Sequence, residues 1–187
     1  MQNNSQIKDF TKGSITKNLI IFALPLFFAN LLQVVYNMAD MAVVGHVLGK
    51  TGISAVSVGG DVTHLLTFIA MGLSNAGQVL IARYIGAKER EKIGKFVGTM
   101  SGFLVLSAIV LTILGLVFQT ELLTLMNTPK EAFKGAISYS TVSMAGLIFI
   151  YGYNMVSAVL RGMGDSKHPF VFIALAAVMN VILDLVL

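Results

Sequence analysis

The sequence predicts an all-α integral membrane protein with five spanning helices, and three observations carry that prediction. Hydrophobic residues make up 56% of the 187 and charged residues only 12%, with a mean hydropathy of +0.81; soluble domains carry roughly a quarter charged. The apolar residues gather into five charge-poor stretches, each near or above the about 18 to 20 residues that a helix needs to cross the hydrocarbon core. Lys and Arg are dense in alternate links between those stretches, as in a chain threading back and forth across a bilayer. The absence of cysteine excludes a disulfide framework and thiolate metal sites. The net charge of +4 sits beside apolar spans, where it speaks to topology, so no nucleic-acid partner is expected.

Residues 1–17 form a cytoplasmic segment with Lys8, Lys12 and Lys17. Span one covers 18–44. Its apolar part is longer than the about 7 to 15 residues of a signal-peptide core, so it is expected to be retained. Pro25 removes a backbone hydrogen bond there and predicts a bend. Span two, 53–82, is the least pure, holding Asp61, His64, Ser74, Asn75 and Gln78, but its glycines at 59, 60, 72 and 77 suit close helix packing. Span three, 96–118, opens on Gly94, Gly98 and Gly102, whose four-residue spacing predicts a smooth stripe for a neighbouring backbone. Span four covers 136–160 and carries Tyr139 and Asn154; span five covers 170–187. Leu187 lies inside an apolar run with no polar flank, which predicts an N-terminal piece of a longer chain, since transporters are commonly built from two repeats.

The N-terminal segment, the link with Arg83, Lys88, Arg90, Lys92 and Lys95, and the link flanked by Arg161 and Lys167 hold ten of the 13 basic residues. Lys50, Lys130 and Lys134 hold the rest, so the positive-inside rule puts the N-terminus in the cytoplasm of a multi-pass cell-membrane protein. The cluster at 83–95 is read first as that topology anchor, although anionic lipid headgroups would also be attracted to it.

Ionised groups at membrane depth cost roughly 2.5 kcal/mol or more, so they face a protein interior or water and mark function by default. Asp40 lies late in span one, and Asp184 lies about 22 Å beyond Pro169 at 1.5 Å per residue. Both therefore reach the outer-leaflet half. Tyr36 and Asn37 share a helix face with Asp40, and Asn180 stands one turn before Asp184. Carboxylate, amide and phenol oxygens are hard donors that suit Na⁺ or, on protonation, a proton. The competing account has each aspartate capping the outer end of its span. Asp61 and His64, three apart, can pair as a relay or simply be hydrated. Gly162-Met-Gly-Asp165 matches the Gly-x-Gly-Asp string of intramembrane aspartyl proteases. Its place between Arg161 and Lys167 in a short inner loop argues for a turn instead, and no catalytic residue is expected.

Pro25, the run Asn37-Met-Ala-Asp40 followed by Val43-Val-Gly45, the loop Arg161-Gly-Met-Gly-Asp165 leading to Pro169, and Asn180 with Asp184 together resemble the multidrug and toxic compound extrusion (MATE) family of cation-coupled antiporters. The resemblance covers essentially the whole length. It implies most of a six-helix N-terminal lobe of a twelve-helix transporter, exporting organic cations and amphipathic drugs in exchange for Na⁺ or H⁺, with no cofactor beyond that coupling ion. By matching positions it implies a cation or proton site at Asp40, Asn180 and Asp184, where Na⁺ would bind, with Tyr36, Tyr139 and Asn154 in the surrounding polar network and Pro25 at a helix bend. The implied partners are the drugs, membrane lipid and a C-terminal lobe. Two alternatives stand beside it: a lipid or lipid-linked oligosaccharide flippase of related architecture, and a non-transporting membrane remnant or subunit. A predominantly cationic cavity would favour the flippase, because phosphates need charge partners; the spans supply carboxylates instead, which favours cationic drugs.

Overall fold

A computed structural model describes residues 13–186, and the side chains of residues up to 184. The elements are α1 (Ile15–Gly86), α2 (Arg90–Leu125), α3 (Lys130–Ala145), α4 (Leu147–Gly162) and α5 (Lys167–Val186). Among the described residues there is no strand.

The 72 residues of α1 would reach about 108 Å if straight, far beyond a hydrocarbon core of about 30 Å. The helix instead breaks at Gly49, whose φ of 63° and ψ of −158° are open to glycine and strained for other residues. A Cβ built on Gly45 would lie 2.9 Å from Ile53 Cδ1, two positions that a continuous helix would hold about 12 Å apart. Residues 15–48 and 50–86 are thus two arms of a hairpin joined by one residue, where the apolar pattern alone left a loop at 45–52. Through Pro25 the dihedral angles stay helical; within α1 they leave that region at Gly49.

Helices α3 and α4 meet at Gly146 with a bend of 49°. Among the described residues three helices, α1, α2 and α5, are long and apolar enough to cross a membrane, or four spans if α3 and α4 count as one bent span. Most large apolar side chains point outward, with Phe27, Phe103 and Phe149 all exposed. That is the expected surface of a protein whose solvent is lipid.

The chain divides into two compact units. One comprises 1–40, 75–99 and 156–187; the other comprises 41–74 and 100–155. In the first unit, the end of α4 packs on the second arm of α1 so closely that a Cβ on Gly162 would stand 2.9 Å from the Gln78 carbonyl oxygen and 3.0 Å from Ile81. Small residues take the same role in the second unit: a Cβ on Gly59 would stand 2.9 Å from the Ala136 carbonyl oxygen, and Ala55, Ala108, Ala132 and Ala136 are buried. Close backbone approach is the usual basis of helix association where lipid removes the hydrophobic driving force.

Candidate functional site

The first unit brings together residues from opposite ends of the sequence. Asp40 stands on the first arm of α1, and Asn180 and Asp184 stand one turn apart on α5. The Asp40 carboxyl interacts with the side chains of both Asp184 and Asn180. Asp40 Oδ1, Asn180 Oδ1 and Asp184 Oδ2 are buried, and none has a hydrogen-bond partner among the described residues. Orphaned buried oxygens are costly, about 1 to 3 kcal/mol each and more when charged. On side chains that interact with one another, three such oxygens form a set of hard oxygen donors. Such a cluster can be completed by a small cation, or by a proton shared between the two carboxyl groups.

Tyr36, one turn before Asp40, is half-buried, but among the described residues no hydrogen bond joins it to the carboxyl groups. Tyr139 and Asn154 belong to the second unit. The Tyr139 ring packs beside Gly59 and Gly60 and borders a cavity of about 340 Å³ that also meets Glu131. Asn154 Nδ2 donates to the Ile150 carbonyl of its own helix at 2.9 Å. No ion pair links Asp61 and His64, which are both exposed; the His64 imidazole lies instead 6.5 Å from the Phe68 ring.

The loop that matched a protease string has a structural explanation at each position. Gly162 is needed for the close approach to α1, and Gly164 adopts φ +86°, favourable only for glycine. Asp165 caps α5: its Oδ1 accepts from the backbone N–H groups of Lys167 (3.0 Å) and His168 (3.2 Å), and its Oδ2 pairs with His168 Nδ1. Burial pushes the Asp165 carboxyl up, but the His168 and Lys167 hydrogen bonds more than offset it and hold the group below its ordinary range. Pro169 then falls in the first turn, where a missing N–H is tolerated.

Three polar devices in the second unit escaped the sequence reading. Tyr151, 1% exposed, donates its hydroxyl to the Leu66 carbonyl at 2.9 Å. Gln119 Oε1 accepts from Thr141 Oγ1 at 3.0 Å and Ser140 Oγ at 3.4 Å. Thr112 Oγ1 donates to the Met144 carbonyl at 3.3 Å, beside the break at Gly146, where a backbone acceptor is freed from the helix ladder.

The family model described as MatE matches residues 25–186. This chain belongs to the MATE family of multidrug transporters. It is 31% identical over 175 residues to the probable multidrug resistance protein YpnP of Bacillus subtilis, covering 94% of this chain and 39% of that protein. With the multidrug export protein MepA of Staphylococcus saprophyticus it shares 29% identity, over 98% of this chain and 41% of the relative. A solved structure described as the outward-facing conformation of a multidrug resistance MATE family transporter superposes with a TM-score of 0.86 at 26% identity, covering 98% of this chain and 40% of that one. The chain thus spans about two-fifths of the relatives it matches. Its helices have the fold of a MATE N-terminal lobe, the expected all-α membrane architecture. Relatives described by multidrug resistance and export do not favour the flippase alternative.

Proposed function

We propose that this chain is the cation-coupling lobe of a multidrug antiporter, which exports organic cations and amphipathic drugs in exchange for Na⁺ or H⁺ and works with a second lobe. The observation that supports it most is the meeting of Asp40, Asp184 and Asn180 with an unpartnered buried oxygen on each. Occupancy by a cation or proton compensates the facing carboxyl groups; departure of that charge leaves them mutually repelling. The two conditions favour different separations of α5 from the first arm of α1. An outward and an inward arrangement that differ in that separation therefore differ in cation affinity. Linkage makes the effect reciprocal: whatever cation binding does to the drug-binding state, drug does to cation affinity, typically by about 5- to 150-fold. The ion acts as coupling cargo, and no cofactor is invoked. The proposed orientation has the N-terminus in the cytoplasm, following the distribution of ten basic residues on one side against three on the other.

The test is drug efflux from proteoliposomes containing a two-lobe transporter that carries these helices, with Na⁺ and H⁺ gradients imposed separately. Asp184→Asn and Asp40→Asn should abolish gradient-driven efflux with insertion intact. Efflux at the parental rate in either variant would overturn the assignment.

A further inference from the structure

The basic link between α1 and α2 does more than orient the chain. Its five cations all lie exposed within 13 positions, and they are crowded by a tight turn in which Lys88 adopts φ +62°. The turn is closed by Ala87 N–H to Arg83 O at 2.9 Å and Glu89 N–H to Tyr84 O at 2.9 Å. The Tyr84 and Phe96 rings, 6.0 Å apart edge to face, hold the two helix ends together from beneath. Lys92 is neutralised by Glu89 at 2.9 Å. Arg83, Lys88, Arg90 and Lys95 have no such partner among the described residues, and of the link's two carboxylates, Glu89 and Glu91, only Glu91 lies outside that pair.

On α2 the half-buried face of this region is made by Ile93, Phe96 and Val97, while Arg90, Gly94, Lys95 and Gly98 are exposed. Arg90, Gly94 and Gly98 follow one another at four-residue steps, so they form a single row on the helix surface. A Cβ built on Gly94 or Gly98 would meet nothing within 4 Å. The close neighbour that the glycine spacing predicted is therefore not supplied by the described residues. What remains is a shallow trough leading from four uncompensated cations toward the apolar part of a spanning helix.

We propose that this surface is a binding site for an anionic phospholipid of the cytoplasmic leaflet. The phosphate sits among Arg83, Lys88, Arg90 and Lys95, and the start of one acyl chain lies along Gly94 and Gly98. Charge complementarity selects the occupant: the cations sit where a span leaves the hydrocarbon, at the level of headgroup phosphates, and the trough beside them is apolar. A second copy of the chain would have to bring its own cations into the same like-charged link.

Spin-labelled phosphatidylglycerol and phosphatidylcholine, in nanodiscs holding the purified full chain, measure the selectivity of the motionally restricted lipid. Phosphatidylglycerol should be preferred by at least about fivefold, the effect of one cation near the surface. Replacing all four cations (R83Q, K88Q, R90Q, K95Q) should bring the preference to about one. Gly98→Leu keeps every charge and meets open space, so the chain folds; it should remove at least half of the restricted phosphatidylglycerol. Full selectivity in the fourfold variant would overturn the headgroup role. Full selectivity in Gly98→Leu would leave only diffuse surface attraction and overturn the site. Displacement of the lipid by millimolar glycerol phosphate would reassign the cations to a soluble anion, and a Gly98→Leu effect that follows a change in oligomeric state would reassign the trough to a second copy.

Discussion

The two units treat polar groups at membrane depth in opposite ways. In the second, Gln119 accepts from two hydroxyls, Thr112 satisfies the Met144 carbonyl beside a broken helix, and the Tyr151 hydroxyl reaches Leu66; Ser74 Oγ is its exception. In the first, Asp40, Asn180 and Asp184 keep oxygens that no donor among the described residues reaches. A satisfied network in low dielectric rigidifies and joins helices, whereas a partly satisfied one is costly on its own. The contrast separates glue from the proposed site. Polar residues of similar type serve structure where donors and acceptors match in number. Where acceptors outnumber donors, the deficit has the chemistry of a positive ion or a proton.

The largest effect expected from that contrast is at Asp184. Asp184→Asn supplies an amide donor to the acceptor-rich cluster. It should raise the thermal midpoint in detergent, or leave it unchanged, while gradient-driven efflux falls at least about tenfold, within the usual range of coupling energies. A destabilised Asp184→Asn chain would mean that the cluster is structural and the contrast false. The opposite pattern is expected for Gln119→Leu, which strips the acceptor from Thr141 and Ser140 together. It should cost about 1 to 2 kcal/mol in denaturation by sodium dodecyl sulfate and leave the cation dependence of transport as it was.

Much of this was legible before any coordinates, because hydropathy and charge asymmetry act over whole spans. Five apolar stretches, their alternating basic links and the default reading of intramembrane acids were enough to single out Asp40 and Asp184. That spans one and five lie side by side was not legible, since nothing local encodes which helices are neighbours. The hairpin at Gly49 and the break at Gly146 are single-residue events within long apolar runs, invisible to any window that averages over a span. Tyr151 and Gln119 drew no reading from the sequence because their partners are 85 and 22 positions away. Gly94 and Gly98 have the spacing that suits a helix partner and meet open space among the described residues.

A smaller effect belongs to the Asp165 cap, which joins the helix carrying Asn180 and Asp184 to α4. Its carboxyl is held below the ordinary value of 3.8 when folded, so the folded state releases this proton more readily than the unfolded chain. The associated stability is fully present above pH 3.8. It is lost as pH falls through the lower folded value. Asp165→Ala should cost about 1 kcal/mol at neutral pH, and the gap between wild type and variant should narrow only below pH 4, roughly. No gap at neutral pH would show that the cap contributes no stability.

The finest distinction is at Tyr151. Tyr151→Phe removes one hydroxyl whose acceptor, the Leu66 carbonyl, also lies within a helical arm and so keeps a ladder position. Interhelical hydrogen bonds in membranes average about 0.6 kcal/mol, and the ring stays buried in the variant, so no cavity opens. The expected loss is therefore about 0.6 kcal/mol in unfolding, with transport unaffected. A loss above 2 kcal/mol, roughly, would show that the carbonyl depends on this hydroxyl, and that the second arm of α1 is distorted at Leu66. Polar saturation in the second unit would then rest on one residue, and the line drawn between glue and site would have to be redrawn around Tyr151.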